Sequence, residues 1–257
     1  TAGKLDTKEK TVILDNGEVL NYDKLLIATG AESFIPPVGN LREAENVFGL
    51  RHLRDAQAIR KMAEKAENIV IIGSGLVGLD AAYGLMETGK KVSIVEMAEQ
   101  ILPVQLDKTG AAEYQKRFEA AGAVFYLGRK GADTRMDENK KITELILDNG
   151  EALPCDMILV AAGVRSAVAG VDGEGIVIDR GIQVNGYLQT GAPDVYAAGD
   201  VTGLSGIWPN AQKQGETAAL NMCGAQVLYE DRYALKNTIN FFGLVSMCVG
   251  EILSKEG

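Results

Sequence analysis

The 257-residue chain is short of the side chains that most often carry metal and covalent chemistry, with one histidine (His52) and three cysteines (Cys155, Cys223, Cys248). The cysteines are odd in number, sit at unrelated spacings and form no CxxC or CxxxxC pair. They therefore read as reduced thiols of a cytoplasmic protein, not as a disulfide framework. His52 reads as a structural or surface residue, and no metal site is expected. Basic residues are outnumbered, 26 to 35, and the net charge of −9 argues against nucleic acid. No apolar run has the length of a transmembrane helix and no signal peptide is visible, so a membrane is not expected as a partner. Proline is scarce (6) while glycine is plentiful (30) without low complexity, the balance expected of α/β turns. The length suits one large or two ordinary domains.

What the chain does have is a glycine loop in the right setting. Ile69 to Ile72 reads as a buried parallel strand, and Gly73-Ser74-Gly75-Leu76-Val77-Gly78 turns it into an Ala-rich helix running to Thr88, with Gly89 after it. Gly73 permits the tight turn, Gly75 lets backbone approach a pyrophosphate, and Gly78 lets helix pack on strand. Free N–H groups and a partial positive charge at the helix start suit that anion. A second strand, Val92 to Val95, ends at Glu96, 18 residues after Gly78. Glu96 is placed to accept the adenosine-ribose hydroxyls, and Met97-Ala98-Glu99 supplies no arginine, so NAD is expected over NADP.

The second informative feature is a repeat. Residues 11–30, with Asp15-Asn16-Gly17 between apolar strands and Leu25 to Ala28 leading to Thr29-Gly30, return as residues 145–163, offset by 133 (148 − 15). Both copies predict a hairpin, a buried strand and a closing glycine, and together they predict two related domains. The offset places the first copy's own glycine loop about 60 residues before Thr1 (73 − 133), and with Thr1 in place of Met a fragment is expected. Ser33 to Gly39, with Pro36-Pro37, reads as a linker, and Asp55 as the cap of a helix to about Ala66. Asp107 opens an amphipathic helix ending at Ala121-Gly122, followed by strand 123–127, and residues 137–141 form a polar hairpin tip. Residues 175–190 predict short alternating strands. Val195 to Ala198 predicts an apolar strand ending in Gly199-Asp200, ahead of a helix from near Pro209 to Cys223. A carboxylate at a strand C-terminus of an open sheet sits where such folds bind ligands.

Four ordered motifs resemble the flavin-dependent pyridine nucleotide–disulfide oxidoreductase superfamily: Tyr22-Asp23-Lys24-Leu25-Leu26-Ile27-Ala28-Thr29-Gly30, the Gly73–Gly78 loop, Ala162-Gly163-Val164-Arg165, and Val195-Tyr196-Ala197-Ala198-Gly199-Asp200. Residues 233–250 are similar to the start of the C-terminal domain of NADH:rubredoxin oxidoreductase and nitrite-reductase-like members. The resemblance implies FAD and NAD(H) as cofactors. It implies an α/β fold in which a three-layer Rossmann-like dinucleotide domain is inserted into the remainder of a related FAD domain. The expected segments are 1–36 and 166–226 for the FAD domain, 37–165 for the NAD domain, and 227–257 for the beginning of a further domain.

Asp200 inherits a role toward the ribityl or phosphate part of FAD, with Gly199 beside it. Thr29 and Gly30 lie at the crossing between the domains, and Trp208, Pro209, Asn210 and Ala211 come near the flavin ring. The candidate cofactor-binding residues are thus Thr29, Gly30, Gly73, Ser74, Gly75, Leu76, Val77, Gly78, Asp80, Glu96, Gly163, Gly199 and Asp200. Asp80 stands where the family usually has a longer Glu near the nicotinamide, and Arg165 is followed by Ser166 where the family often has proline. The resemblance implies no catalytic acid, base or nucleophile here. The implied partner is a small redox carrier such as rubredoxin, or a small-molecule acceptor, with a homodimer allowed. An NADH oxidase or a peroxide or CoA-disulfide reductase with its single cysteine before Thr1, and a stand-alone NAD-binding module without flavin, are the alternatives. Arg51, Arg54, Arg60, Lys61 and Lys65 are candidates for a basic docking patch or a solvated helix face.

Overall fold

The computed structural model describes residues 2–171, 173–231 and 236–250. Its chain divides into two compact units: unit 1, Thr1–Glu32 with Val164–Lys236, and unit 2, Ser33–Gly163 with Asn237–Gly257.

Unit 1 begins with an antiparallel meander of β1 (Ala2–Asp6), β2 (Thr11–Leu14) and β3 (Val19–Asn21). The Asp15-Asn16-Gly17 signal makes the β2–β3 turn, with Gly17 at φ +83° donating its N–H to the Leu14 carbonyl (2.9 Å). The left-handed backbone there is what glycine supplies without a steric cost. Next come β4 (Leu25–Ile27), β5 (Ala31–Ser33) and, in unit 2, β6 (Val47–Gly49).

Helix α1 (Leu53–Ala63) starts differently from expectation. His52, not Asp55, occupies the N-cap, and Asp55 reaches back from the third helical position to accept the N–H groups of His52 (2.8 Å) and Arg51 (3.0 Å). A carboxylate one turn in satisfies the orphan donors as well as one at the cap does. Then follow β7 (Asn68–Ile72), α2 (Leu76–Glu87), β8 (Lys91–Glu96), α3 (Lys108–Ala120) and β9 (Val124–Leu127). Asp107 does cap α3, its carboxylate accepting the Gly110 N–H at 2.8 Å. An antiparallel meander, β10 (Gly131–Met136), β11 (Ile142–Leu147) and β12 (Ala152–Pro154), carries the chain to β13 (Met157–Val160).

These elements make three layers. The central sheet is parallel throughout, in the order β6-β13-β7-β8-β9. One face packs Ile69, Ile71, Ile94 and Leu159 against Leu79, Ala82 and Leu85 of α2 and Tyr114 and Phe118 of α3. The other packs Val70, Val95 and Ile158 against Leu145, Leu147 and Leu153 of the meander. Being covered on both sides, β7 and β13 need continuous apolar runs and have them.

The chain returns to unit 1 as β14 (Val164–Ser166), which pairs with β5. The alternating pattern of residues 175–190 yields only isolated bridges, Ile178 with Ile182 and Gln189 with Tyr196. Turns intervene too often for strands: Asp179 N–H closes onto the Gly181 carbonyl, and the Asn185 side chain accepts from the Tyr187 and Gln189 N–H groups. Next, β15 (Val195–Ala197) pairs in parallel with β4, a 3-10 turn covers Gly199–Thr202, and α4 (Trp208–Met222) follows.

The hairpin of β16 (Lys236–Phe241) and β17 (Leu244–Val249) gives Ile239 and Phe241 to the helix-side core of unit 2. Phe118 meets Phe241 and Phe242 edge-on at 5.2 and 5.0 Å between centroids, and the Tyr114 hydroxyl bonds Ser246 Oγ at 2.9 Å. Residues 232–235 and 251–257, part of the expected further domain, lie outside the described residues.

Candidate functional site

The C-terminal edge of the parallel sheet in unit 2 is where its strand order reverses: β8 and β9 extend one way from β7, and β13 lies on the other side. Open α/β sheets bind ligands at such a point. The loops leaving β7, β8, β9 and β13 enclose a cavity of about 520 Å³ there, and Gly73, Gly75, Glu96 and Gly163 all line it.

The three loop glycines do three separate jobs. Gly73 sits at φ +105°, and a methyl group on it would come within 2.5 Å of the Ala161 carbonyl oxygen. A methyl on Gly78 would run into the Gly73 carbonyl oxygen and lie 3.3 Å from Ala161 Cβ, so α2 can approach β7 only with hydrogen there. Gly75, the N-cap of α2, has ordinary φ (−70°), and a methyl added to it would meet nothing within 4 Å. Glycine at 75 therefore serves open space in front of the helix start and not the packing behind it. That is the arrangement an anion approaching backbone N–H groups requires.

The loop is held by a clasp that no local sequence pattern announces. Ser74 is fully buried, and both its N–H (2.9 Å) and its hydroxyl (2.8 Å) donate to Glu96 Oε2. Glu96 Oε1 accepts the Ala98 N–H at 2.9 Å, the Gly73 N–H donates to the Val95 carbonyl (2.8 Å), and the Leu102 N–H donates to the Ser74 carbonyl (3.0 Å). Ser74 is thus turned away from the cavity. Leu76 packs into the helix-side core, while Val77 is exposed.

Asp80 is not part of this cavity. It lines a second, largely apolar groove of about 480 Å³ bordered by α1 and α2, with Ile59, Arg60 and Leu85. Its carboxyl keeps an accessible face, yet the apolar walls desolvate it and raise its pKa above the usual carboxylate value. Three further residues lining the first cavity were not expected from the sequence: Gln105, whose Oε1 is buried without a partner among the described residues, and Arg129 and Lys130 beyond β9. Nothing in the local sequence marks them, because the loops of β8 and β9 meet only in the folded sheet.

Unit 1 repeats the geometry on a smaller scale. Because β4 and β15 are parallel neighbours in register (Ile27 with Ala197), Thr29-Gly30 and Gly199-Asp200 leave the same sheet edge. The Thr29 hydroxyl donates to the Ala167 carbonyl (2.6 Å), and the Ala167 N–H returns to the Gly30 carbonyl (2.9 Å). The Ser166 hydroxyl donates to the Asp200 carbonyl at 2.8 Å. The Gly199 N–H donates to Gln214 Oε1 (2.7 Å), leaving the buried Gln214 Nε2 without an acceptor among the described residues. Trp208, at the first turn of α4, is 82% exposed. His52 takes no part in either site. Burial drives the Cys155 thiol up to about 12, which removes it as a thiolate nucleophile.

Comparison with known proteins matches residues 1–215 to the pyridine nucleotide-disulphide oxidoreductase family. The chain is 34% identical over 263 aligned positions to the NADH-dependent phenylglyoxylate dehydrogenase subunit epsilon of Aromatoleum evansii, covering 98% of this chain and 62% of that one. It is 30% identical to the NADH-rubredoxin oxidoreductase of Clostridium acetobutylicum, over 90% of this chain and 57% of the relative. The solved NAD-dependent persulfide reductase from A. fulgidus superposes with a TM-score of 0.86 at 26% identity, over 96% of this chain and 48% of that one. The chain thus spans about half to three-fifths of the length of these proteins. It belongs to the pyridine nucleotide-disulphide oxidoreductase family, as its four motifs had implied.

Proposed function

We propose, from membership in this family, that the protein is an NADH-dependent flavoprotein oxidoreductase that passes electrons to a small redox carrier protein such as rubredoxin. FAD and NADH, held by the residues named below, would supply the redox chemistry, hydride transfer and onward electron delivery. The protein's own contribution is binding, orientation and exclusion of water.

The observation that carries the reading is the open face at Gly75 with the Gly73 and Gly78 contacts behind it. A purely structural turn would have no need of glycine at 75. Gly73 to Gly78 would present backbone N–H groups to the pyrophosphate, Glu96 would meet the adenosine ribose, and Gly163 would leave room beside them. The Gln214 Nε2, without an acceptor among the described residues, and the shared edge of Thr29, Gly30, Gly199 and Asp200 fit a second polar ligand in unit 1, which supports FAD. The domain boundaries at 36/37, 165/166 and 226/227 follow from the same reading.

One observation favours a second reading, a nicotinamide-nucleotide-binding module without flavin: the parallel pairing in unit 1 has two strands, against five in unit 2. A visible spectrum of the purified chain after addition and removal of FAD separates the two. Retained flavin that bleaches anaerobically with NADH, and then reduces rubredoxin faster than free flavin does, is the expected result. A colourless chain that still binds NADH leaves only the binding module. Failure to bind NADH at all would end both readings.

A further inference from the structure

Glu96 is less available to a nucleotide than its position suggests. An ionised carboxylate offers about four acceptor sites, and the protein already fills three of them, from Ser74 N–H, Ser74 Oγ and Ala98 N–H. It can take about one further hydrogen bond, and its charge is partly answered by those donors. The acidic residue that would repel a phosphorylated ribose is therefore engaged in holding the loop.

The opposite charge stands beside it. The Arg129 N–H donates to the Glu96 main-chain carbonyl at 3.0 Å, which sets Arg129 just beyond the sheet edge, one strand over from Glu96. Arg129 and Lys130 both line the same cavity as Glu96 and Met97. Among the described residues, neither the guanidinium nor the ammonium group has a salt bridge or side-chain hydrogen bond. Two further acidic groups stand close by: Glu99, whose carboxylate lies against Gly128, within 2.6 Å of where a methyl on that glycine would be, and Asp148, whose Oδ1 accepts the Lys130 main-chain N–H at 3.4 Å. A guanidinium with five donors is the side chain best suited to a phosphate, and an ammonium adds a second point charge.

We propose that Arg129 and Lys130 are specificity-determining residues that receive a ribose 2′-phosphate, so that this site accepts NADPH as well as NADH. The inference rests on the reading of this cavity as a dinucleotide site. It replaces the preference for NAD alone that the absence of arginine after Glu96 had implied. The two cations come from the next strand, outside the stretch that follows the acidic strand end.

The test is equilibrium binding of NADH, NADPH, ADP-ribose and 2′-phospho-ADP-ribose to the 257-residue chain, wild type and R129S/K130S. Among the described residues neither side chain is tied to the fold by an ion pair, so the variant is expected to fold, and an unchanged melting midpoint checks it. Wild type should bind NADPH with a Kd within about threefold of that for NADH. The double variant should weaken NADPH and 2′-phospho-ADP-ribose by about tenfold or more, about 1.4 kcal/mol, while NADH and ADP-ribose move by less than about threefold. The salt dependence of NADPH binding should flatten in the variant. NADH binding without NADPH binding in the wild type would overturn the proposal and leave the dinucleotide reading intact. Equal losses for all four ligands would overturn it too, assigning the cations to the shared pyrophosphate. If none of the four binds the wild-type chain, the dinucleotide reading itself falls, and the proposal with it.

Discussion

The two units present the same kind of strand edge at two widths. In unit 2 the edge belongs to a five-stranded parallel sheet covered on both faces, and the loop that crosses it is shaped by steric necessity at Gly73 and Gly78. In unit 1 the edge belongs to one parallel pair, and its loops are tied by single hydrogen bonds, the Thr29 and Ser166 hydroxyls donating to backbone carbonyls and Gln214 Oε1 accepting a backbone N–H. Packing at the glycines, backed by the Ser74–Glu96 clasp, holds the first edge, and polar ties hold the second. Perturbations should therefore act differently on the two.

The largest effect is expected in the aromatic core of unit 2. Phe118→Ala leaves a cavity among Phe125, Phe241 and Phe242 and should cost about 3–5 kcal/mol, read as a lowered denaturant midpoint. Gly78→Ala forces α2 away from β7 and should cost about 1–3 kcal/mol, whereas Gly75→Ala should leave stability nearly unchanged and weaken NADH binding. A Gly75 variant that unfolds the chain while binding normally would collapse the distinction between the two glycines. In unit 1, Ser166→Ala removes one neutral hydrogen bond to the Asp200 carbonyl and should cost only about 0.5–1.5 kcal/mol.

The smallest effects are electrostatic, and they separate the units by salt. In unit 2 the backbone N–H groups of Asn68 and Glu67 hold the Asp156 carboxyl below its usual pKa, tying the starts of β7 and β13. In unit 1 the ammonium groups of Lys213 and Lys236 hold Asp231 down to about 2. Both shifts are downward, so each contributes stability that is present above the unfolded-state carboxylate pKa and lost as pH falls through the folded value. For Asp231 that loss runs from about 4 down to about 2. An Asp231→Asn variant should lose this acid dependence, and its difference from wild type should shrink in about 1 M salt, where the screening length is about 3 Å. The Asp156→Asn difference should persist, because backbone donors are not displaced by ions. Equal salt sensitivity in the two would contradict the contrast.

Backbone necessity is also what made part of the molecule legible in advance. Gly73 and Gly78 are glycines because no other residue fits, and β7 and β13 are apolar because both faces are covered, so each fact is written locally. Asp107 capped α3 as expected, one residue before its helix. The Ser74–Glu96 clasp joins residues 22 apart in sequence, and Arg129 reaches the cavity from a third loop, so neither leaves a local trace. Residues 175–190 misled because alternation records exposure on two sides and not the partner strand that would make it a ladder. At His52 and Asp55 the helix start was found but the roles were exchanged, since a carboxylate can reach orphan N–H groups from either end of the first turn.

The pairing of β4 with β15 joins Leu25 to Val195, 170 positions apart (195 − 25), across the whole of Ser33–Gly163. On a ribosome adding about 5–20 residues per second, that gap is a waiting time of about ten to thirty seconds. The central sheet of unit 2, complete by Val160, can assemble during it, while Leu25–Ile27 still lacks its β15 partner. The order of assembly is thereby written into the connectivity: the Gly73–Gly78 loop can be finished first, and the edge carrying Gly199 and Asp200 closes only when β15 emerges.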